Sequence, residues 1–381
     1  MKRTMKKMVS MALTGTMAVA VLAGAGTSEV KAADKAKIGV LVADVSGEEA
    51  QGFRSYYENY IAGNYDVEFN YTDALQSAED EKTAIEKFAS QGCQAIISFS
   101  SNDRVQQIET CEKYGVYYAV ASGVLDDAQY ETYKTYEYFA GQVGPGNDTE
   151  FEAGKDMGAY YKEQGVSKVA IYGAFIPNPM HVYRVAGVLN GLGCTYGGES
   201  DMNAIAGQIF QDQTVDLSKV EGDVEVVSYL QGYGDTTTDE LNAAIQKTPD
   251  AFISVGMATT FFAQSLSEAG ISFSDIDSFT ETNGNSMKNG TLTYLAGKYS
   301  SSIGPVFALV MNAINGNVIR DEDGNAPSIS QGYLVATDSD TFDKYSVSDS
   351  GDAPIYDKET LDSIISDNVT FEYVKTLVES K

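Results

Sequence analysis

The chain is poor in the residues that build metal centres and disulfide frameworks. Its 381 residues include one histidine, three cysteines and no tryptophan. Cys93, Cys111 and Cys194 are odd in number and lack C-x-x-C spacing, so we expect buried free thiols and no metal site. Because tryptophan is absent, aromatic stacking must use the 25 tyrosines and 16 phenylalanines.

Basic residues are scarce relative to acidic ones. There are 26 lysines and arginines against 54 aspartates and glutamates, which gives a net charge of -28. Such a charge repels polyanions, so we expect no nucleic-acid partner. The hydrophobic fraction of 43% is ordinary for a folded globular protein, and the length favours about two domains over one.

Motifs for covalent chemistry are also missing. His181 is the only imidazole, and the sequence contains no G-x-S-x-G, no G-x-x-x-x-G-K-[ST] and no G-x-G-x-x-G. Two carboxylates could in principle cleave a glycoside, but with 54 acidic residues such pairs arise easily by chance. We therefore expect a protein that is not an enzyme and has no cofactor, with a carboxylate hydrolase as an alternative.

The N-terminus has the three parts of a secretory signal. The basic segment MKRTMKKM precedes an apolar stretch over residues 9–25, and Val30-Lys31-Ala32 is similar to a signal-peptidase site. We predict a signal peptide over residues 1–32, with an uncleaved membrane anchor as the alternative. A bacterial lipoprotein would carry cysteine where this chain has Ala25, so we expect a secreted, extracellular or periplasmic, non-lipidated protein.

Two similar α/β units follow each other along the chain. Each has nearly continuous apolar runs, which are typical of parallel strands buried on both faces. The runs are KIGVLVAD (37–44), QAIISFSS (94–101) and GVYYAVAS (115–122) in the first unit, and KVAIYGAF (168–175), VEVVSYLQG (224–232) and DAFISVGM (250–257) in the second. QAIISFSS and DAFISVGM are each followed by a predicted helix that ends at a glycine, Gly115 in the first unit and Gly270 in the second.

Further elements follow the second unit. We predict strands over DSFTET (277–282) and TLTYLAG (291–297), a helix over residues 302–315, and one helix over residues 358–366 of an acidic tail. The βαβ order predicts two parallel sheets. Since ligands bind beyond the carboxyl ends of strands in such sheets, two facing sheets predict a cleft between lobes.

Several blocks resemble the type I periplasmic (extracellular) solute-binding proteins of ABC transporters, in particular the ribose- and galactose-binding branch. The resemblance covers nearly all of residues 36–316. The blocks are KIGVLVADVSGEEAQGF, FASQGCQAIISFSSND, NPMHVYRVAGVLNGL and TPDAFISVGMATTFFAQSLSEAG.

The resemblance implies an α/β fold of two Rossmann-like lobes, each a mostly parallel sheet flanked by helices, joined by a three-strand hinge. We place the crossings near Ala140, Gly297 and Arg320. The implied N-terminal lobe comprises residues 33–140 and 298–320. The implied C-terminal lobe comprises residues 141–297 and, with the tail, 321–381, and the sequence leaves open on which lobe residues 321–381 pack.

The resemblance also implies ligand contacts. On the first lobe these are Asp44 at the end of the first strand, Phe53 as a sugar-stacking ring, and Ser101 and Asp103 after the third strand. Phe53 is equally well explained as a core residue. On the second lobe, Arg184 matches an arginine whose planar fork can hold two ligand oxygens. His181 either lines the cleft or lies in an exposed loop.

The second lobe departs from the sugar-binding pattern. Met257 stands where an Asn or Asp is usual, and Thr282 and Asn283 lie near the usual aspartate. A sugar would lose hydroxyl partners there, at about 1–3 kcal/mol for each unpaired group. We therefore expect a sugar-like ligand, with a nucleoside as an alternative.

The implied function is the capture of a small polar solute for ABC-type uptake. The expected partners are the sugar-like ligand and either an ABC permease or, in an extracellular sensing role, a membrane sensor. We expect the protein to act as a monomer.

Overall fold

The computed structural model describes residues 35–349 and 353–381. The predicted signal peptide, residues 1–32, and Ala25 lie outside them. The described strands, in chain order, are β1 (Ala36–Leu41), β2 (Val67–Tyr71), β3 (Ala95–Ser98), β4 (Tyr117–Ala121), β5 (Phe139–Gly144), β6 (Lys168–Tyr172), β7 (Cys194–Tyr196), β8 (Val220–Gly222), β9 (Glu225–Leu230), β10 (Ala251–Ser254), β11 (Ser272–Ser278), β12 (Leu292–Lys298), β13 (Ser328–Ser330) and β14 (Leu334–Ala336).

The α-helices surround these strands, and a π-helical turn, Tyr56–Ile61, joins the first two. The helices are α1 (Glu48–Ser55), α2 (Ala62–Asn64), α3 (Ala78–Ser90), α4 (Arg104–Tyr114), α5 (Asp127–Tyr133), α6 (Asn147–Glu163), α7 (Pro179–Gly191), α8 (Met202–Asp212), α9 (Asp235–Gln246), α10 (Ala258–Phe261), α11 (Ala263–Ala269), α12 (Glu281–Lys288), α13 (Gly304–Ile314), α14 (Ser339–Asp349), α15 (Lys358–Ile364) and α16 (Phe371–Glu379). In residues 35–349 and 353–381, no helix is both long and apolar enough to cross a bilayer.

Two six-stranded sheets form the centres of two lobes. The first sheet has the order β13-β5-β4-β3-β1-β2, and all of its neighbouring strands are parallel. The second has the order β14-β12-β11-β10-β6-β9, and only β14 is antiparallel to its neighbour. The predicted fold class, two mostly parallel sheets flanked by helices, is confirmed.

Local signals in the sequence explain why the helices begin and end where they do. Ser77 accepts a hydrogen bond from the backbone N–H of Asp80 and caps α3, as the S-x-x-D spacing predicts. Gly115 ends α4 and Gly270 ends α11, with φ angles of 66° and 68°. Only glycine adopts this left-handed conformation without strain, so both helices stop where the sequence predicted.

The division between the lobes differs from the expected one after residue 320. Both β13 and the preceding α13 belong to the first lobe, and the chain crosses to the second only over residues 331–333. Pairing of β13 with β5 holds this segment to the first sheet, so the crossing placed near Arg320 is wrong. The other two crossings follow β5 and β12 directly.

The C-terminal segment 353–381, whose lobe the sequence left open, packs on the first lobe. Tyr356, Leu361, Ile364 and Val374 are buried in the same core as Ile38 of β1. The buried hydroxyl of Tyr56 donates to the backbone carbonyl of Tyr356 at 2.6 Å. The apolar faces of α15 and α16 hold this segment on the first lobe, because they complete its hydrophobic core.

Two helices at the start of the second lobe pack with almost no space between them. On α6, a Cβ added at Gly154 would lie 2.0 Å from the carbonyl oxygen of Arg184, and on α7 a Cβ at Gly187 would lie 2.0 Å from that of Phe151. Glycines therefore permit the close crossing of α6 and α7. This crossing fixes the N-terminal end of α7 at the cleft between the lobes.

A candidate ligand cleft between the lobes

A cleft with a volume of about 1120 Å³ lies between the two lobes. The first lobe lines it with the loops that follow β1, β3, β4 and β5. The second lobe contributes the starts of α6 and α7, three residues of α8 and Lys298 at the end of β12. The cleft lies at the carboxyl ends of the parallel strands, where open α/β sheets bind their ligands.

An aromatic wall forms one side of the cleft. The rings of Phe53, from α1, and Phe99, from the loop after β3, stack with centroids 5.4 Å apart and an interplanar angle of 24°. Phe53 is 7% exposed, so it packs into the first core and still reaches the cleft. Phe53 is therefore a core residue that also lines the cleft, and its stacking on a sugar stays a prediction. A ring face of this kind suits the C–H face of a sugar or a flat base.

The loop after β3 is built around one buried carboxylate. Glu81 accepts hydrogen bonds from the hydroxyl of Ser100 at 2.5 Å and from the backbone N–H groups of Asn102 and Asp103, both at 2.9 Å. Burial opposes ionisation, but these hydrogen bonds hold the pKa of Glu81 below its ordinary value. A rigid loop thereby presents Ser101 and Asp103 to the cleft.

Asp103 and Asp44 both line the cleft, and each also fixes its own segment. Asp103 caps α4 by accepting the backbone N–H of Gln106 at 2.9 Å. Asp44 accepts the N–H groups of Ser46 and Gly47, both at 2.9 Å, and the Ser46 bond lowers its pKa most. Carboxylates have lone pairs to spare after such bonds, so both can still accept ligand hydroxyls. The first-lobe residues that we predicted thus meet at one cleft.

Arg184 occupies a different position from the one we expected. It is 3% exposed, and its Nε lies 2.6 Å from a carboxylate oxygen of Glu150. Its two Nη atoms donate to the carbonyl of Val255 at 2.8 Å and to the hydroxyl of Tyr333 at 2.6 Å. Arg184 does not line the cleft. The predicted grip on ligand oxygens is replaced by an internal ion pair that joins α6, α7 and the crossing segment.

His181 is buried beside Arg184 and does not line the cleft either. Its Nδ1 accepts the backbone N–H of Phe175 at 3.0 Å, which leaves the proton of the neutral ring on Nε2. Burial, and then the charge of Arg184, lower the pKa of His181 to about 3. The exposed-loop alternative for His181 is therefore wrong. The ring is a neutral part of the interior.

The other second-lobe residues that we predicted also lie away from the cleft wall. Met257 follows β10 with a left-handed φ of 69°, and Asn283 is buried with its amide donating to the carbonyl of Ser278 at 2.8 Å. Thr282 donates across the lobes to a carboxylate oxygen of Glu48 at 2.8 Å. These positions give Asn283 and Thr282 structural partners in place of a ligand.

Direct contacts join the lobes beside the cleft. At the start of α1, Glu49 accepts a hydrogen bond from the hydroxyl of Ser278, and its carboxylate lies 3.5 Å from Nζ of Lys298. Burial, and then the charge of Glu49, raise the pKa of Asp277. The first turn of α1, on the first lobe, therefore makes polar contacts with the second lobe.

The sequence did not single out the second-lobe residues that do line the cleft. Asn178, Met180 and Tyr183 line the cleft from the start of α7. Met180 and Tyr183 are three residues apart, as are His181 and Arg184, so the two pairs lie on adjacent faces of one helix. The face of α7 that lines the cleft is therefore adjacent to the face that carries the predicted residues His181 and Arg184.

Solved structures with a similar fold include binding proteins of ABC transporters. One is the periplasmic binding protein of an arabinose ABC transporter from Shewanella sp. ANA-3, with bound L-arabinofuranose. It is 16% identical, with a TM-score of 0.57 over 83% of this chain and 96% of that one. The chain has the fold of the periplasmic solute-binding proteins.

Two further structures agree. A periplasmic solute-binding protein from Actinobacillus succinogenes 130z with bound D-allose is 16% identical, with a TM-score of 0.61 over 82% of this chain and 100% of that one. A solute-binding protein from Bacillus halodurans C-125 with bound myo-inositol is 17% identical, with a TM-score of 0.56 over 82% of this chain and 98% of that one. Neither a protein-family model nor a curated protein matches the sequence.

Proposed function

We propose that the protein is a secreted solute-binding protein that captures a small sugar or sugar-like molecule for ABC-type uptake. The observation that carries the proposal is the interlobe cleft, with the stacked Phe53–Phe99 wall on one side and the Asp103 loop beside it. Its fold is also that of transport proteins with bound arabinose, allose and inositol.

The proposed mechanism is closure of two lobes around one solute. Segments that cross between the lobes act as the hinge, and the bound molecule favours the closed arrangement by touching both lobes. The aromatic wall packs on the ligand's C–H groups, and Ser101, Asp103 and Asp44 accept or donate to its hydroxyls. The solute leaves chemically unchanged, so the protein is not an enzyme.

The partners in this proposal are the ligand and an ABC permease, with the protein acting as a monomer outside the cytoplasm. The signal-like residues 1–32 and the alanine at position 25 support export without a lipid anchor. Mass spectrometry of the exported protein tests whether residues 1–32 are removed. We expect a mature chain that begins at Ala33, and a full-length chain retained in the membrane would contradict it.

A binding screen tests the function itself. Purified protein is unfolded and refolded to remove any bound ligand, then titrated with pentoses, hexoses, inositols and nucleosides by calorimetry. We expect one-to-one binding of at least one compound and a higher Tm in its presence. Phe53→Ala should weaken that binding at least tenfold, whereas Tyr114→Ala, which removes an exposed ring outside the cleft, should leave it unchanged. Failure of every compound to bind would contradict the proposal.

A further inference from the structure

Arg104 is a cationic side chain of the cleft that makes no ion pair among the described residues. Arg104 begins α4 and lines the cleft, and its Nη1 donates to the carbonyl oxygen of Val124 at 2.6 Å. Its Nε is buried without a hydrogen-bond partner, and no carboxylate in the described part of the chain lies within ion-pair distance of it. Burying a charge is costly unless it is paired. Burial lowers the pKa of Arg104 and the charge of Glu81 opposes this, so Glu81 compensates the guanidinium only in part and without an ion pair.

The other charged groups of the cleft divide into two sets. Carboxylates inside the cleft already have donors from the protein: Asp44, Glu49, Asp103, Asp126 and Glu150. The lining carboxylates that make no hydrogen bond or ion pair in the described residues are exposed: Asp127, Asp148 and Glu379. In the first set, Asp44, Asp103 and Asp126 have only neutral donors, so the negative charge without a cationic partner lies on exposed side chains and on half-buried Asp103.

The cations that line the cleft include two with a carboxylate partner and two without one in the part of the chain that the structure describes. Arg54 pairs with Glu58, and Lys298 pairs with Glu49. Arg104 and Lys375 are the remaining lining cations, both only partly exposed, and neither has a carboxylate partner among the described residues. A chain with 54 acidic residues thus leaves two cations unpaired in its cleft.

Glycines allow the backbone to approach Arg104 closely. A Cβ added at Gly123 would lie 3.0 Å from Nη2 of Arg104, and one added at Gly144 would lie 2.1 Å from the backbone nitrogen of Gly123. Gly144 stands two residues before Gly146, which begins α6 without a side-chain cap. The N-terminus of that 17-residue helix, which also lines the cleft, carries partial positive charge, and Asp148 and Glu150 in its first turn offset part of it.

We propose that the natural ligand is a monosaccharide-sized solute with a carboxylate, such as a sugar acid, and that Arg104 binds this carboxylate. The inference rests on the proposed function and narrows its ligand class. A singly charged carboxylate matches one unpaired guanidinium. A phosphate monoester carries nearly two charges and would be repelled more strongly by Asp127, Asp148 and Glu379.

Calorimetry with matched pairs tests the inference on the refolded, ligand-free protein. The pairs are D-galacturonate with D-galactose and D-glucuronate with D-glucose, and D-galactose 6-phosphate is a separate arm. We expect one acid to bind about tenfold to a hundredfold more tightly than its neutral partner and than the phosphate. Affinity for that acid should fall as salt is raised from low ionic strength.

Substitutions of Arg104 test whether this side chain binds the ligand carboxylate. Arg104→Gln should lower the affinity for the acid by a similar factor and leave any neutral-sugar affinity unchanged, and Arg104→Lys should retain part of it. The control is Lys113→Gln, which removes a charge from the last turn of the same helix, outside the cleft. Circular dichroism and Tm confirm that each variant is folded.

The outcomes separate the two proposals. If a neutral sugar binds as tightly as its acid, if the phosphate binds best, or if Arg104→Gln leaves acid binding unchanged, the inference is overturned while the proposed function stands. If no member of the wider screen binds, the proposed function fails and the inference fails with it.

Discussion

The carboxylate of Glu49 on the first lobe lies 3.5 Å from Nζ of Lys298 on the second. The same carboxylate accepts the hydroxyl hydrogen of Ser278. These contacts lie beside the cleft and join the lobes directly, so they favour a closed arrangement. Both charged groups keep some exposure, 36% for Glu49 and 21% for Lys298. The pair therefore contributes at most about 1 kcal/mol to closure.

Removal of this pair should open the molecule slightly. In Lys298→Met we expect a larger radius of gyration than in the unmodified protein, measured by small-angle X-ray scattering without ligand. The matched control is Lys288→Met, which removes an ion pair with Asp343 inside the second lobe. Equal radii for all three proteins would show that the Glu49 contact does not hold the lobes together.

Arg184→Met should destabilise the second lobe. The change leaves the carboxylate of Glu150 buried beside Tyr333 without its cation, and breaking a buried pair in this way costs about 3–5 kcal/mol. Urea denaturation measures the loss. Glu152→Gln, which removes an exposed pair with Lys155, should change stability by less than about 1 kcal/mol.

The same variant separates a structural role from ligand binding. We expect folded Arg184→Met, at a temperature well below its Tm, to keep most of its affinity for the solute. A large loss of affinity with unchanged stability would support the sequence-based role for Arg184.

Gly154→Ala should disrupt the crossing of α6 and α7. The added Cβ would overlap the carbonyl oxygen of Arg184, and overpacking of a core typically costs about 1–3 kcal/mol. Gly207→Ala is the control, because it lies within α8 with no heavy atom within 4 Å of the new Cβ. That change should stabilise the helix by about 0.5–1 kcal/mol. Similar Tm values for the two variants would contradict the close crossing.

His181 should stay neutral in the folded protein well below its ordinary pKa of 6.5. Burial lowers its pKa to about 3, so the unfolded chain binds more protons between these values. The stability that neutral His181 contributes is complete above about pH 6.5 and is lost as the pH falls toward 3. Because the chain has one histidine, its imidazole NMR signals can be followed without ambiguity. A folded-state midpoint near 6.5 would contradict the buried position.

Much of the fold could be predicted because its signals are local. Apolar runs mark β1, β3, β6 and β10, and glycines with left-handed φ end α4 and α11. One strand was misplaced: we predicted it over residues 277–282, but β11 ends at Ser278 and Thr280 caps α12. The polar pattern SFTET fits a strand or a helix cap, and the hydrogen bond from Asn283 N–H to Thr280 decides between them.

The tail could not be assigned because its partner is distant in sequence. The spacing of Leu361 and Ile364, and of Val374 and Val378, indicates apolar helix faces, but it does not say which lobe they cover. The cleft residues, too, could be predicted only where they depend on local sequence. Strand order placed Asp44 and Asp103 at one cleft, whereas the rotation of α7 about its axis depends on its packing against α6.

The central claim is that the interlobe cleft binds a small polar solute and returns it unchanged. The most direct test is native mass spectrometry of the purified protein, followed by release of the ligand in acid and its identification. We predict one sugar-like molecule per chain, released with the same mass and rebound by the refolded protein, and bound at least tenfold more weakly after Phe53→Ala. A chemically converted product, or affinity that survives Phe53→Ala undiminished, would contradict the account.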